Sequence, residues 1–153
     1  VLHNIRSVHN VGSIFRTADA AGVSKLILSG YTPTPLDMYG RPRADLAKVA
    51  LGAEKIVPWE KTANVSTALK KLKKSGYMIL AVEQSPRSIS LFDWRLPSPT
   101  PPLALILGNE VRGLSPQILR AVDTILEIPM RGKKESLNVS VAAGIAMYSI
   151  IWD

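Results

Sequence analysis

Three short stretches of this chain hold polar side chains in an order that could do chemistry. "HNVGSIFR" offers Asn10 and Arg16, "GNEVRG" offers Glu110 and Arg112, and "MRGKKESLN" offers Arg131, Lys133, Lys134, Ser136 and Asn138. Amides and hydroxyls orient a bound molecule, a carboxylate accepts directed hydrogen bonds, and an arginine can clamp a phosphate or steady a developing oxyanion. Each position has a plainer account as well. Asn10 could be the N-cap of the helix it opens, Ser136 or Asn138 another cap, Arg16 a solvated arginine off the apolar face, and "GNE" a strand-to-helix turn. The third stretch is the least ordinary, because "VSVAAGIAMYSII" follows it directly. That run is apolar almost all round, and such a helix is normally buried on every side.

The elements that must position these residues are legible from periodicity. "SKLILSG" reads as a strand closed by Gly30; "YMILAVEQS", "LALILG" and "TILEIP" are further β-type runs, and the N-terminus starts in what looks like a strand. Val11, Ile14, Phe15 and Ala18 recur at helical spacing with Gly22 just past the end, and Val65, Ala68, Leu69 and Leu72 repeat the pattern before Gly76. Ser115 followed by Pro116 reads as an N-cap and a first-turn proline. Alternating helices and continuous apolar strands predict an α/β fold, a mostly parallel sheet with helices on both faces. Ligands of such sheets sit beyond the carboxyl ends of the strands, which is where all three polar stretches fall. "RLPSPTPPL" reads as a linker between elements, so the whole of 1–153 is expected to be one domain.

Composition narrows the chemistry. There is no cysteine, which excludes disulfides and thiolate metal sites, and His3 and His9 are the only histidines. No HExxH-type spacing exists, so no metal is expected. No apolar run reaches the roughly 18–20 residues of a membrane span, and the N-terminus lacks a signal-peptide layout. A cytoplasmic location, with no membrane partner, is the expectation. Net charge is +7 and the isoelectric point near 9.9, a balance that favours a polyanionic partner. Neither GxGxxG nor GxxxxGK[ST] occurs, so no dinucleotide or P-loop site is supported.

Taken together and in order, "NIRSVHNVGSIFRTADAAGV", "LALILGNEVRGLS" and "IPMRGKKESLNVSVAAGIAMY" closely resemble the three motifs of the SpoU/TrmH-type RNA methyltransferases of the SPOUT superfamily. The resemblance runs from about residue 3 to residue 148 and implies a good deal that periodicity does not. It implies a C-terminal segment threaded through a loop as a deep trefoil knot, a homodimer, S-adenosylmethionine bound in the knot, and methylation of a ribose 2′-hydroxyl of tRNA or rRNA. The apolar helix behind "KKESLN" would then be wedged into the dimer interface, with Ala142, Ala143, Gly144 and Ala146 allowing close packing.

Carried over residue by residue, the resemblance makes Asn10, Arg16, Glu110, Ser136 and Asn138 the catalytic set. Gly108, Ile128 and Leu137 match positions that hold the cofactor, largely through backbone groups; Leu107 and Met130 complete the expected cofactor site, with Gly108 letting the main chain approach closely and Ile128, Met130 and Leu137 supplying walls. Arg112, Arg131, Lys133 and Lys134, together with Arg16, are the RNA contacts a phosphate backbone needs. A guanidinium is effectively never neutral in a protein, so Arg16 is expected to stabilise an alkoxide or clamp phosphate at least as well as to act as a base. Two other functions compete: methylation of an RNA base within the same superfamily, and a non-catalytic RNA-binding module. The chain departs from many relatives in having Ser149 after Tyr148 in place of glutamate, and Val49-Ala50-Leu51 where a serine is common.

Overall fold

The computed structural model describes residues 1–152. Its first half runs β1 (Leu2–His3), α1 (Val8–Ala20), β2 (Leu26–Ser29), α2 (Ala44–Ala50), α3 (Ala53–Ile56), β3 (Trp59–Thr62), α4 (Val65–Lys74). The second half continues β4 (Met78–Val82), β5 (Ile89–Ser90), β6 (Leu103–Leu107), α5 (Pro116–Ala121), β7 (Thr124–Glu127) and α6 (Val139–Ile151). All strand pairs are parallel, and the seven strands lie in the order β3-β2-β1-β6-β4-β7-β5.

Strand alternation explains why helices must cover both faces. Ile79 and Ala81 of β4, Ala104 and Ile106 of β6 and Ile125 of β7 pack with Val65 and Leu69 of α4 and Ile118 of α5. Their neighbours Leu80 and Leu126 point the other way, toward Ala146 and Ile150 of α6. A strand buried on both faces must be apolar throughout, which is why β2, β4 and β6 were readable as unbroken runs. β3 and β5 were not among the expected strands. Both are sheet edges; β3 is "WEKT", with its two central residues exposed, and β5 has two residues.

The helix signals hold with local differences. Val11, Ile14, Phe15 and Ala18 are buried against β1 and β2, α2 and α6. The α1 N-cap is Ser7, whose Oγ accepts from the Asn10 N–H at 3.1 Å, so Asn10 is not the cap. Ser115 caps α5 ahead of Pro116. The last helix differs more from expectation. Ala143 and Ala146 are fully buried within the chain's own core, and a Cβ on Gly144 would meet Thr17 of α1 at 3.6 Å. Part of the small-residue pattern therefore serves packing inside one chain. Val141, Tyr148 and Ile151 of α6, and Trp152 that caps its C-terminus, are large apolar side chains left exposed.

Candidate functional site

The carboxyl ends of four adjacent strands, β1, β6, β4 and β7, bring the polar stretches to one end of the sheet. Sequence order reverses between β1 and β6, the place where open α/β sheets bind ligands. There the Glu110 carboxylate accepts from the backbone N–H groups of Arg6 (3.0 Å) and Ser7 (3.2 Å), and from Asn10 Nδ2 at 3.1 Å. Since Ser7 is the N-cap of α1, a carboxylate 103 positions away satisfies the entry to that helix, where negative charge is favoured. Asn10 is thereby free of capping duty. Its side chain is buried and extends the chain of bonds, its Oδ1 accepting from Asn138 Nδ2 at 3.1 Å.

The amide orientations follow from the end groups. A carboxylate only accepts, so Asn10 must turn its NH2 toward Glu110 and its oxygen toward Asn138. Asn138 in turn offers Oδ1 to the N–H and hydroxyl of Ser140, at 2.8 and 2.6 Å, capping α6. Asn138 is thus a cap and a network member at once. Burial works to raise the Glu110 pKa. The hydrogen bonds from Arg6, Glu110's own N–H, Asn10 and Ser7 outweigh it, and the carboxyl lies below its ordinary value of 4.5. An ionised carboxylate engaged by that many donors positions its neighbours and is poorly placed to exchange protons.

Beside this network lies a cleft of about 300 Å³. Leu107, Gly108, Glu110, Ile128, Met130, Ser136 and Leu137 all line it. The backbone around Gly108 is tightly folded: a Cβ there would meet the Gly113 carbonyl carbon at 2.7 Å. Its glycine is required by that turn, a different reason from close approach to a ligand. Gly113 has φ +63 and faces the Glu83 carboxylate, which would lie 2.3 Å from a Cβ.

Glu83 is a lining residue that sequence reasoning missed. Its Oε2 accepts from the Leu114 N–H at 2.9 Å. With Glu110, Glu127 and Glu135 it makes four carboxylates around the cleft, which is lined by no lysine or arginine. The signal was available, for "VEQS" leaves the carboxyl end of β4 just as the other polar stretches leave their strands. Asn109 was also missed; it is buried, donates to the Asn4 carbonyl and to Tyr31 Oη, and accepts from the N–H groups of Val111 and Arg112.

Arg16 is not on this cleft. It lines a separate one between α1 and α2 with His9, Ser13, Thr17, Asp45 and Lys48. Six residues along a helix carry it about 9 Å from Asn10 and roughly 120° round the axis. Arg112, Arg131, Lys133 and Lys134 are exposed on the loops bordering the acidic cleft. The ion pairs among the described residues, Lys25–Glu60, Arg41–Asp37, Arg43–Asp45 and Lys73–Asp123, use none of these five cations. Among the described residues, no group of three or more His, Asp or Glu residues is placed to hold a metal ion, and no helix is long and apolar enough to cross a membrane.

This geometry can be set beside known proteins. The model of the SpoU rRNA Methylase family matches residues 1–148. The chain belongs to the SpoU methylase family. It is 32% identical over 151 residues to the 23S rRNA (guanosine-2′-O-)-methyltransferase RlmB of Vibrio parahaemolyticus, covering 99% of this chain and 57% of that protein. Among solved structures, the AdoMet-bound rRNA methyltransferase of Sinorhizobium meliloti superposes with a TM-score of 0.85 at 29% identity, over 97% of this chain and 53% of that one. The A. aeolicus TrmH/SpoU tRNA modifying enzyme gives 0.82 at 32% identity, over 99% and 72%. The chain spans little more than half the length of the curated relatives it matches.

Proposed function

We propose that this SpoU methylase domain transfers a methyl group from S-adenosylmethionine to a ribose 2′-hydroxyl of tRNA or rRNA. The observation that carries the reading is the unbroken chain Glu110–Asn10–Asn138, which joins all three motif segments beside an acid-lined cleft. The cofactor would supply an already activated methyl on a cationic sulfur that becomes neutral on transfer. The cleft fits such a group: its volume lies at the lower end of the roughly 300–1,000 Å³ of small-molecule sites, and four carboxylates favour a cation. Leu107, Ile128, Met130 and Leu137 supply the apolar walls, and Gly108 and Ser136 the polar edge.

The residues' work is then chiefly alignment. The Asn138–Asn10–Glu110 network holds the mouth of α6, the first turn of α1 and the 109–114 turn in one arrangement, so an acceptor oxygen meets a rigid site. Arg16 would stabilise the acceptor oxygen as its proton passes to solvent, or hold the adjoining phosphate. Because Arg16 lines the α1/α2 cleft, we infer that two copies complete the site, the Arg16 of one protomer serving the cofactor cleft of its partner. The exposed stripe of Val141, Tyr148 and Ile151 on α6 and Trp152 at its C-cap, on the helix that packs on α1, supports a homodimer through that helix. Threading of segment 128–138 into the family's knot is supported by the Gln84 side chain, which donates to the Glu135 carbonyl at 2.6 Å.

Mapping 2′-O-methyl positions in RNA from cells with and without the gene tests the reading. Loss of one or a few ribose methylations is expected. Unchanged ribose methylation with a lost base methylation would move the protein to the base-modifying enzymes. Cofactor binding without any methyl transfer would make it a binding module.

A further inference from the structure

The loop between β2 and α2, "GYTPTPLDMYGRPR", contributes nothing to the acidic cleft, yet it is closed by its own hydrogen bonds. Asp37 holds it together. Its Oδ1 accepts from the N–H groups of Tyr39 (2.8 Å) and Arg41 (2.9 Å), and its Oδ2 from Arg41 Nε at 2.8 Å. The Arg41 N–H is the largest of the influences that hold the Asp37 carboxyl below its ordinary value. Backbone bonds from Asp37 to Arg41, Gly40 to Asp37 and Arg43 to Pro35 close the loop into a hairpin, with Leu36 and Pro42 bridged across it.

A loop so well determined still presents apolar groups to water. Met38 is 89% and Tyr39 73% exposed. The Arg41 guanidinium lies over one face of the Tyr39 ring, 4.9 Å from its centroid, and leaves the opposite face open. The contact favours one orientation of the ring before anything binds, which lowers the entropy lost on binding. The root of the hairpin is tied to the site, since Tyr31 Oη accepts from Asn109 at 2.8 Å and Asn109 stands between Gly108 and Glu110. Its other arm runs into α2, whose Asp45 and Lys48 line the cleft that holds Arg16.

Resting on the RNA-methyltransferase reading, we propose that the free face of Tyr39 is a stacking platform for one unpaired base of the RNA. Arg41 backs the ring, and Met38 provides an apolar edge. Every base has a π-face, so a platform of this kind holds single strands without reading sequence, while duplex bases are already stacked and cannot reach it. The +7 charge of the chain suits the strand's phosphates.

Anisotropy titrations with a short fluorescein-labelled oligoadenylate, and with a blunt RNA duplex as control, test the proposal on the full chain. Tyr39→Ala should weaken oligoadenylate binding by roughly five- to hundredfold, the range of one base–aromatic stack, with duplex binding and the salt slope unchanged. Tyr39→Phe should bind like the native chain. The substitution leaves the Asp37 clamp intact, because that clamp uses only the backbone N–H of Tyr39. Oligoadenylate affinity unchanged in Tyr39→Ala overturns the platform, as does an equal loss for duplex and single strand. A changed sedimented mass with unchanged RNA affinity overturns it too and makes the ring a protein contact. Failure of the native chain to bind either RNA while still binding S-adenosylmethionine removes the RNA reading itself, and the platform with it.

Discussion

The side-chain amide of Asn138 donates to the side-chain oxygen of Asn10 at 3.1 Å, across 128 positions of sequence. The bond ties the mouth of α6 to the first turn of α1, and Asn10 passes it on to Glu110. Removing the middle member strands both ends. Asn10→Ala should lower stability by about 1–3 kcal/mol, the penalty of leaving buried polar partners unmet. Asn138→Ala added to it should cost less than the sum of the two single changes. Urea denaturation of the four chains of the double-mutant cycle gives the answer, and strict additivity would mean the network does not act as a unit.

Acid should act on the same network through Glu110. Its folded pKa lies below the ordinary 4.5, so the stabilisation is complete above the unfolded value and is lost as pH falls through the folded one. The native chain should therefore be more stable than Glu110→Gln near neutrality, with the difference shrinking below about pH 4.5. Urea midpoints measured from neutral to acid pH check this. A difference that stays constant across the range would show that the charge of Glu110 is irrelevant to its role.

Arg16→Ala should leave S-adenosylmethionine affinity within a few-fold, because Arg16 lies outside the acidic cleft. Turnover should fall by about 10²–10⁴, as when a proton-transfer or oxyanion-stabilising group is removed. Mixing Arg16→Ala with Met130→Arg, which places a positive charge in the cofactor cleft, should restore activity. Each mixed dimer then contains one site assembled from intact parts of both copies. No recovery on mixing would place Arg16 and the cofactor cleft of a single chain in the same site.

Neutralising Arg112, Arg131, Lys133 and Lys134 together should weaken RNA and spare the cofactor. Each lost phosphate contact to a single strand should reduce the slope of log affinity against log salt by about 0.7. Filter binding over a salt series reads this directly. An unaltered slope would place the phosphate contacts elsewhere, the α1/α2 cleft with Lys48 being the next place to look.

The α6 face calls for a probe on its exposed side. Ala143 is fully buried inside the chain, so a charge there would damage the core and say little about assembly. Val141→Glu, at a half-exposed position of the apolar stripe, should shift a dimer to monomer in analytical ultracentrifugation with its circular dichroism retained. A dimer that survives this change would not use that face.

By itself, the sequence determined what local physics can encode. Unbroken apolar runs such as "LALIL" mark strands covered on both faces, and the spacing of Val11, Ile14, Phe15 and Ala18 marks the inward side of α1. The motif residues Gly108, Glu110, Ile128, Met130, Ser136 and Leu137 could be named together before the fold brought them to one cleft. Tertiary structure decided the rest. Edge strands β3 and β5 have too few buried contacts to leave a pattern, so only their neighbours reveal them. The direction of a side chain at a helix start depends on what else caps the helix. Ser7 and the distant Glu110 take that task, and Asn10 turns inward as a result. Glu83 joins the cleft because β4 lies between β6 and β7, an adjacency set by sheet order rather than by anything near Glu83 in the chain. Arg16 and Asn10 are six residues apart, yet helical rotation separates their directions by about 120°, sending Arg16 to the α1/α2 cleft and Asn10 into the buried network with Glu110 and Asn138.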